Sequence, residues 1–188
     1  MADDGDSTSV PKTDDNPLMM RLIVRMLSGK WQNVKNMTTL ELHERMEAAK
    51  KDPTTEKVVV LDARPPEEYD VSHVVGAIRV APDGSDAKQT IETLTANNPD
   101  KRPMVLVSYC SLGYRGLKYA DAVTTEQQKA EDLPPISAYN LEGGLFKWAN
   151  ENRPMTDHKD RPTIYAHPYS AVWGKWLNSN LRRSTPEP

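Results

Sequence analysis

The sequence predicts an α/β domain built on a parallel β-sheet. Residues 58–61 and 104–107 are continuous apolar runs of the kind that form strands buried on both faces. Segments with helical patterns lie between the strand-like segments, and this alternation is typical of βαβ units. With 188 residues and a hydrophobic fraction of 37%, the chain suits one domain that carries polar extensions.

The predicted elements are bounded by capping and helix-breaking residues. Thr38 and Glu41 have the spacing of a capping box, which predicts a helix start. Asp52 and Pro53 predict the end of that helix, and Pro99 follows a later one. The predicted strands are residues 34–37, 58–61, 77–80, 104–109 and 136–141, and the predicted helices are residues 40–50, 66–69, 87–96, 116–129 and 145–150.

The chain divides into four parts by composition. Residues 1–17 are acidic and poor in apolar side chains, which predicts a disordered tail. Residues 18–33 place apolar and basic residues at helical spacing and predict a helical extension; it docks on the domain or, as an alternative, lies on a membrane surface. Residues 34–155 form the α/β domain. Residues 156–188 are an extension expected to fold back onto the domain or a partner, because of their aromatic residues Tyr165, Tyr169, Trp173 and Trp176.

Overall composition argues against several classes of protein. The net charge is -3 without a concentrated Lys/Arg field, so we expect no nucleic-acid partner. The acidic start matches neither a secretory signal nor a transit peptide, and no apolar run approaches the roughly 20 residues of a membrane helix. We therefore expect a cytoplasmic protein without membrane contact. One cysteine excludes an internal disulfide and a Cys-rich zinc site, and the histidines show no metal-ligand spacing, so neither metal nor cofactor is expected.

The segment after the second apolar strand is the candidate site. Ligands of open parallel sheets bind beyond the carboxyl ends of the strands, and Cys110 lies directly after such an end. The loop that follows leads into a helix and can turn its N–H groups inward as an anion cradle, with Gly113 and Gly116 permitting the conformation. The helix dipole and Arg115 favour a negatively charged Cys110, which predicts a nucleophile. The alternative is a buried core cysteine.

Four sequence blocks, in this order, resemble the rhodanese-like domain family. Together they cover about residues 35–155. Ser72 and Val75 stand where the family's second block has glycine and proline. The blocks are LDAR with EEY (residues 61–64 and 67–69), SHVVGAI (72–78), CSLGYR (110–115) and LEGGLFKW (141–148).

The resemblance implies a central parallel sheet of about five strands flanked by helices. It also implies a ping-pong sulfurtransferase, in which Cys110 takes sulfur from thiosulfate or a persulfide and passes it to cyanide or a thiol. Phosphatases that share the fold have one residue more between Cys and Arg than the loop ending at Arg115, and they carry His where this chain has Tyr109. These differences favour sulfur transfer over phosphatase or arsenate-reductase chemistry. A rhodanese-like binding or regulatory module without turnover remains the alternative function.

The resemblance also suggests roles for individual residues. Arg115 and Arg64 are predicted to bind the donor, whereas Asp62 and His73 are predicted to be structural residues near the site. Leu112 makes the entrance of the predicted site less basic, which favours a thiol persulfide over thiosulfate as the sulfur donor. Because the chain has one cysteine, the acceptor must be external, either a small thiol or a partner protein. The remaining predicted substrate-binding residues are Ser111, Gly113, Tyr114 and Gly116.

Overall fold

A five-stranded parallel sheet forms the centre of the computed structural model, which describes residues 31, 33–130 and 133–188. The order of the strands is β1-β6-β5-β2-β4, and every pairing in this sheet is parallel. The predicted fold class is therefore confirmed. The strands of the described residues are β1 (Lys35–Met37), β2 (Lys57–Asp62), β3 (His73–Val74), β4 (Ile78–Arg79), β5 (Met104–Tyr109), β6 (Ile136–Leu141), β7 (Met155–Thr156) and β8 (Pro162–Thr163).

Within the same residues, five α-helices connect the strands, close to the predicted positions. The first begins after Thr38, whose hydroxyl accepts the N–H of Glu41 at 3.1 Å, as the capping spacing predicts. Of the described helices, none is both long and apolar enough to cross a membrane. The predicted tail 1–17 and most of the predicted helix 18–33 lie outside the described residues. The helices are α1 (Thr39–Lys51), α2 (Pro66–Tyr69), α3 (Ala87–Ala96), α4 (Tyr114–Lys129) and α5 (Gly144–Asn150).

Both faces of the parallel sheet are covered, which explains why its central strands are continuously apolar. Consecutive residues of β5, such as Val105 and Leu106, point into different core clusters. One cluster joins the sheet to α1, α5 and the C-terminal extension, and the other joins it to α3 and α4. Hydrophobic burial on the two faces fixes the sheet between its helices.

A second, antiparallel sheet joins the domain to the C-terminal extension. It contains β3, β7 and β8, and β7 lies between the other two. The sequence patterns predict none of these strands, because two residues are too few to show a period. The small sheet brings the start of the extension against the middle of the domain.

The rest of the extension packs on the domain rather than leaving it. The Ala166 N–H donates to the Leu181 carbonyl at 2.8 Å, and the Arg183 N–H donates to the Ala166 carbonyl at 3.1 Å. Leu177 and Leu181 are buried in the same core cluster as α1 and α5. Of the two predicted placements, the fold-back onto the domain is the one observed.

Because Leu181 completes this core, we expect Leu181→Ala to lower the free energy of unfolding by about 2–5 kcal/mol. Leu181 is 2% exposed, whereas Leu40 is 53% exposed on α1. Leu40→Ala is the matched control and should cost less than about 0.5 kcal/mol. Urea unfolding of both variants measures the difference, and equal small losses would show that the extension does not stabilise the domain.

Candidate active site

The carboxyl ends of β2 and β5 lie side by side and define the candidate site. Asp62 and Tyr109 are register partners at the ends of these two strands. Cys110 follows Tyr109 at once, and Gly113 is the last residue before α4. α4 begins two residues earlier than predicted, which places Arg115 in its first turn.

The sulfur of Cys110 lies inside the loop and faces a backbone amide. The Gly113 N–H donates to Cys110 Sγ at 3.1 Å, and the side chain of Cys110 is buried, with 3% of the residue exposed. Gly113 has a φ of 122°, a conformation that side-chain-bearing residues rarely adopt. The loop therefore brings one backbone N–H group, that of Gly113, against the sulfur.

The start of α5 sets the direction of the loop's peptide groups. The Leu145 N–H donates to the Cys110 carbonyl at 2.9 Å, and the Phe146 N–H donates to the Ser111 carbonyl at 3.1 Å. In a trans peptide the C=O and N–H point in opposite directions, so the N–H groups of Ser111 and Leu112 point away from α5. Within the described part of the chain, neither N–H has a protein acceptor.

Gly144 makes this contact between α5 and the loop possible. A Cβ on Gly144 would lie 2.2 Å from the Cys110 carbonyl oxygen. The φ of Gly144 is 58°, which independently favours glycine. The turn at residues 143–144, at the start of α5, is therefore a packing surface for the loop that follows β5.

Arg115 is held by a buried carboxylate that the sequence analysis did not single out. Its Nη1 donates to Glu68 Oε1 at 2.9 Å, and the Ser111 hydroxyl donates to Glu68 Oε2 at 2.5 Å. The side chains of Arg115 and Glu68 are 20% and 3% exposed. Burial lowers the pKa of Arg115, but the adjacent Cys110 sulfur and Glu68 carboxylate outweigh it and raise that pKa above its ordinary value. Arg115, Ser111 and Glu68 thus form one network beside the sulfur.

The placement of Arg64 contradicts its predicted role in donor binding. Its guanidinium is fully buried, with Nη2 2.6 Å from Asp62 Oδ2 and 2.6 Å from the Ser72 carbonyl oxygen. The Tyr109 hydroxyl donates to the same Asp62 oxygen at 2.6 Å and accepts the Val74 N–H at 3.1 Å. Burial opposes the charge, but Asp62 raises the pKa of Arg64 above its ordinary value. The Asp62–Arg64 pair ties β2 to the chain before β3 and faces no solvent.

Two loop residues predicted to bind substrate are packing residues instead. Leu112 is buried in a core cluster and does not line the entrance of the site. A Cβ on Gly116 would lie 2.8 Å from Tyr109 Cα, so this glycine lets α4 pack closely on β5. The prediction of a less basic entrance therefore cannot rest on Leu112.

Tyr114 and His73 lie on either side of the site. Tyr114 is exposed, and its ring contacts Trp31 edge to face at 5.2 Å between centroids. His73 is buried and stacks on Tyr69 with centroids 3.8 Å apart, and its ring nitrogens face the Tyr69 carbonyl and the Thr156 hydroxyl. These contacts pack His73 between α2 and β7.

The C-terminal extension also reaches the site, which the sequence analysis did not predict. Arg115 Cζ lies 5.1 Å from the centroid of the Tyr169 ring, a cation–π contact. Among residues 31, 33–130 and 133–188, no group of three or more His, Cys, Asp or Glu side chains is placed to hold a metal ion.

The candidate site is therefore a cysteine that accepts one backbone N–H at the carboxyl end of a parallel strand, with an arginine in the next helical turn. A family model of the rhodanese-like domain matches residues 39–151. The chain therefore belongs to the rhodanese-like domain family.

Solved structures similar to this chain differ in the activities attributed to them. A yeast protein described as a tyrosine phosphatase of the rhodanese family is 22% identical, with a TM-score of 0.51, and the match covers 63% of this chain and 85% of that one. A thiosulfate sulfurtransferase from Pseudomonas aeruginosa is 15% identical, with a TM-score of 0.52, and the match covers 82% of this chain and 26% of that one. The As-Sb reductase from Leishmania major is 18% identical, with a TM-score of 0.50, covering 70% and 92%. These similarities show the shared fold. No protein with a curated description matches the chain.

Because Gly144 lies so close to the loop, adding one methyl group at this position should strongly destabilise the protein. Gly144→Ala should lower the free energy of unfolding by more than about 3 kcal/mol, because strain in φ and a clash with the loop carbonyl add together. Gly76 has a φ of 74°, and a methyl group there would meet nothing within 4 Å, so Gly76→Ala carries the strain alone. That strain should cost about 1–2 kcal/mol. Urea unfolding compares the two variants. Equal losses would show that the close approach does not matter.

Because Arg64 is buried and paired, its substitution should lower the free energy of unfolding far more than substitution of an exposed arginine. Arg64→Met should cost about 3–5 kcal/mol, because it leaves Asp62 charged and unpaired in the core. Arg45, whose pair with Glu56 is partly exposed, is the control, and Arg45→Met should cost less than about 1 kcal/mol. Adding Asp62→Asn to Arg64→Met should cost less than the sum of the single changes. Additive losses in chemical denaturation would contradict the pairing.

Proposed function

We propose that the protein is a sulfurtransferase that carries sulfane sulfur on Cys110 as a persulfide. The observation that carries the proposal is the Gly113 N–H directed at Cys110 Sγ at 3.1 Å. The N–H groups of Ser111 and Leu112 belong to the same loop and have no backbone acceptor among the described residues, and the first turn of α4 adds the positive end of a helix dipole. Such a site stabilises both a thiolate and the anionic persulfide formed from it.

In the first half of the proposed reaction, Cys110 takes sulfur from the donor. The Cys110 thiolate attacks the outer sulfur of a persulfide R–S–SH, so that an Sγ–S bond forms and the donor S–S bond breaks. The electron pair leaves on the thiolate R–S⁻, and the new Cys–S–SH releases its proton to water. With thiosulfate as donor, the outer sulfur moves in the same way and the leaving group is sulfite. This is nucleophilic covalent catalysis.

In the second half, an external acceptor removes the sulfur. An acceptor thiolate R′–S⁻ attacks the outer sulfur of the anionic persulfide Cys–S–S⁻, the Sγ–S bond breaks and returns Cys110 as a thiolate, and the product takes up one proton from water to give R′–S–SH. Cyanide attacks the same sulfur and leaves as thiocyanate. Because Cys110 is the single cysteine of the chain, no second thiol of the same molecule can take the sulfur, and the acceptor is a small thiol or a partner protein.

A module that binds a partner without turnover is the second candidate. It is favoured by the burial of Cys110, which is 3% exposed, and by Tyr169, which lies over Arg115. In that case the loop would hold its conformation for packing, and sulfur donors would leave Cys110 unmodified. Phosphatase or arsenate-reductase chemistry has less support, because a short loop around a buried sulfur leaves little space for a phosphate ester.

We expect wild-type protein incubated with thiosulfate or an organic persulfide to gain the mass of one sulfur atom, and cyanide to remove it. Cys110→Ser should gain no sulfur and should lose transfer altogether, with an unchanged thermal unfolding midpoint as the control for folding. Intact-protein mass spectrometry measures the adduct. Thiocyanate formation by Cys110→Ser at the wild-type rate would end the proposal.

Measurements on the same protein samples also distinguish the two other candidate functions, a binding module and a phosphatase. No adduct from either donor, with a correctly folded wild type, would favour the binding module. Phosphate release from p-nitrophenyl phosphate that depends on Cys110 would favour a phosphatase.

A further inference from the structure

The C-terminal extension presents one aromatic ring to the active-site network through a short turn, residues 167–170. The Tyr169 N–H donates to His167 Nδ1 at 3.0 Å, and the Ser170 N–H donates to the Pro168 carbonyl at 2.7 Å. Tyr169 has a φ of 63°, which residues other than glycine seldom adopt. Burial lowers the pKa of His167 and so favours the neutral ring whose Nδ1 can accept this bond. The turn therefore has a defined local structure.

The turn is also fixed at both ends. Ala166 is fully buried and bonds to Leu181 and Arg183 through its backbone. After the turn, the Gly174 N–H donates to the Ser170 carbonyl at 2.7 Å, and a Cβ on Gly174 would lie 2.8 Å from Pro168 Cβ. The position of Tyr169 is thus set by the folded extension, not by a loose tail.

Tyr169 and Glu68 together occupy most of the guanidinium of Arg115. Both terminal nitrogens of Arg115 donate to Glu68, at 2.9 and 3.0 Å to Oε1, and Nη2 also lies 3.3 Å from the Ser111 hydroxyl. The Tyr169 ring covers the guanidinium face at 5.1 Å from its centroid. Glu68 and Ser111 therefore take up part of the donor edge of Arg115 and Tyr169 covers its face, which leaves fewer N–H groups to bind an oxyanion.

The charges near Cys110 cancel in pairs. Arg115 is paired with Glu68, and Arg64 is paired with Asp62. Thiosulfate brings two negative charges and leaves as doubly charged sulfite, and here it would meet an arginine that is already bonded to Glu68, together with the carboxylate of Glu68 itself. A persulfide whose organic group is uncharged brings at most one negative charge, which the loop amides can hold.

We infer that Tyr169 is a specificity-determining residue, which holds Arg115 against Glu68 and so selects uncharged organic persulfides over thiosulfate as sulfur donors. The inference rests on the proposed sulfurtransferase function. Tyr169 acts through Arg115 and is a positioning residue. Its ring is 48% exposed, so the side away from Arg115 also offers apolar surface to the organic group of the donor.

The chain supplies a matched control for this ring. Tyr165 belongs to the same extension and also stacks on an arginine, with Arg183 Cζ 4.2 Å from the ring centroid. Arg183 belongs to the extension and is not part of the Arg115 network. Tyr165→Ala therefore removes the same kind of cation–π contact away from Cys110.

The first test is donor selectivity with cyanide as acceptor. The ratio of kcat/KM for 2-hydroxyethyl persulfide to kcat/KM for thiosulfate should fall at least about threefold in Tyr169→Ala, in line with the loss of one cation–π contact. Tyr169→Phe keeps the ring and should retain the wild-type ratio, as should Tyr165→Ala. A wild-type ratio in Tyr169→Ala, or an equal fall in Tyr165→Ala, would overturn the inference.

The second test does not need sulfur transfer. Iodoacetamide and iodoacetate are similar in size and differ by one negative charge, and both alkylate Cys110, the single cysteine. The rate with iodoacetate relative to iodoacetamide should rise at least about threefold in Tyr169→Ala and stay unchanged in Tyr169→Phe. An unchanged ratio in Tyr169→Ala would overturn the role of Tyr169 even if sulfur transfer is observed. Failure of wild type to form a persulfide with either donor would instead reject the proposed function.

Discussion

Two hydrogen bonds from the first turn of α5 to the carbonyl oxygens of Cys110 and Ser111 determine the geometry of the site. They turn these two carbonyls outward, so the amides of the following residues face the other way. Gly144 makes the approach sterically possible, and Gly113 closes the loop on the sulfur. The chemistry of one side chain thus depends on a helix that begins more than thirty residues later in the chain.

Charge pairing is the second constraint on the site. Two buried or half-buried arginines lie at this end of the sheet, and each is bonded to a carboxylate: Arg64 to Asp62, and Arg115 to Glu68. The first pair is structural and connects β2 to β5 through the Tyr109 hydroxyl. The second pair lies next to Cys110, and the guanidinium of its Arg115 packs against the Tyr169 ring. Buried charges are tolerated here because each has a close partner.

Features encoded locally could be predicted from the sequence. Apolar runs predict β2 and β5, and the pattern from Cys110 to Arg115 predicts the loop, because these signals lie within a few residues. The contacts of Glu68 and Tyr169 with Arg115 join distant parts of the chain and leave no local pattern. Arg64 resembles an ordinary polar residue after a strand, and only the tertiary structure shows that Asp62 and the Ser72 carbonyl hold it in the interior.

Residues 39–151 match the family, and the extension follows them. This boundary separates the parts of the site that relatives share from the part that can vary between them. Cys110 and the amides of its loop belong to the part of the chain that matches the family, whereas the ring against Arg115 comes from outside it. Substitutions in the turn at residues 167–170 can therefore accumulate without altering the loop that contains Cys110. Related chains that differ in this turn are the natural place to look for divergence in what the same nucleophile accepts.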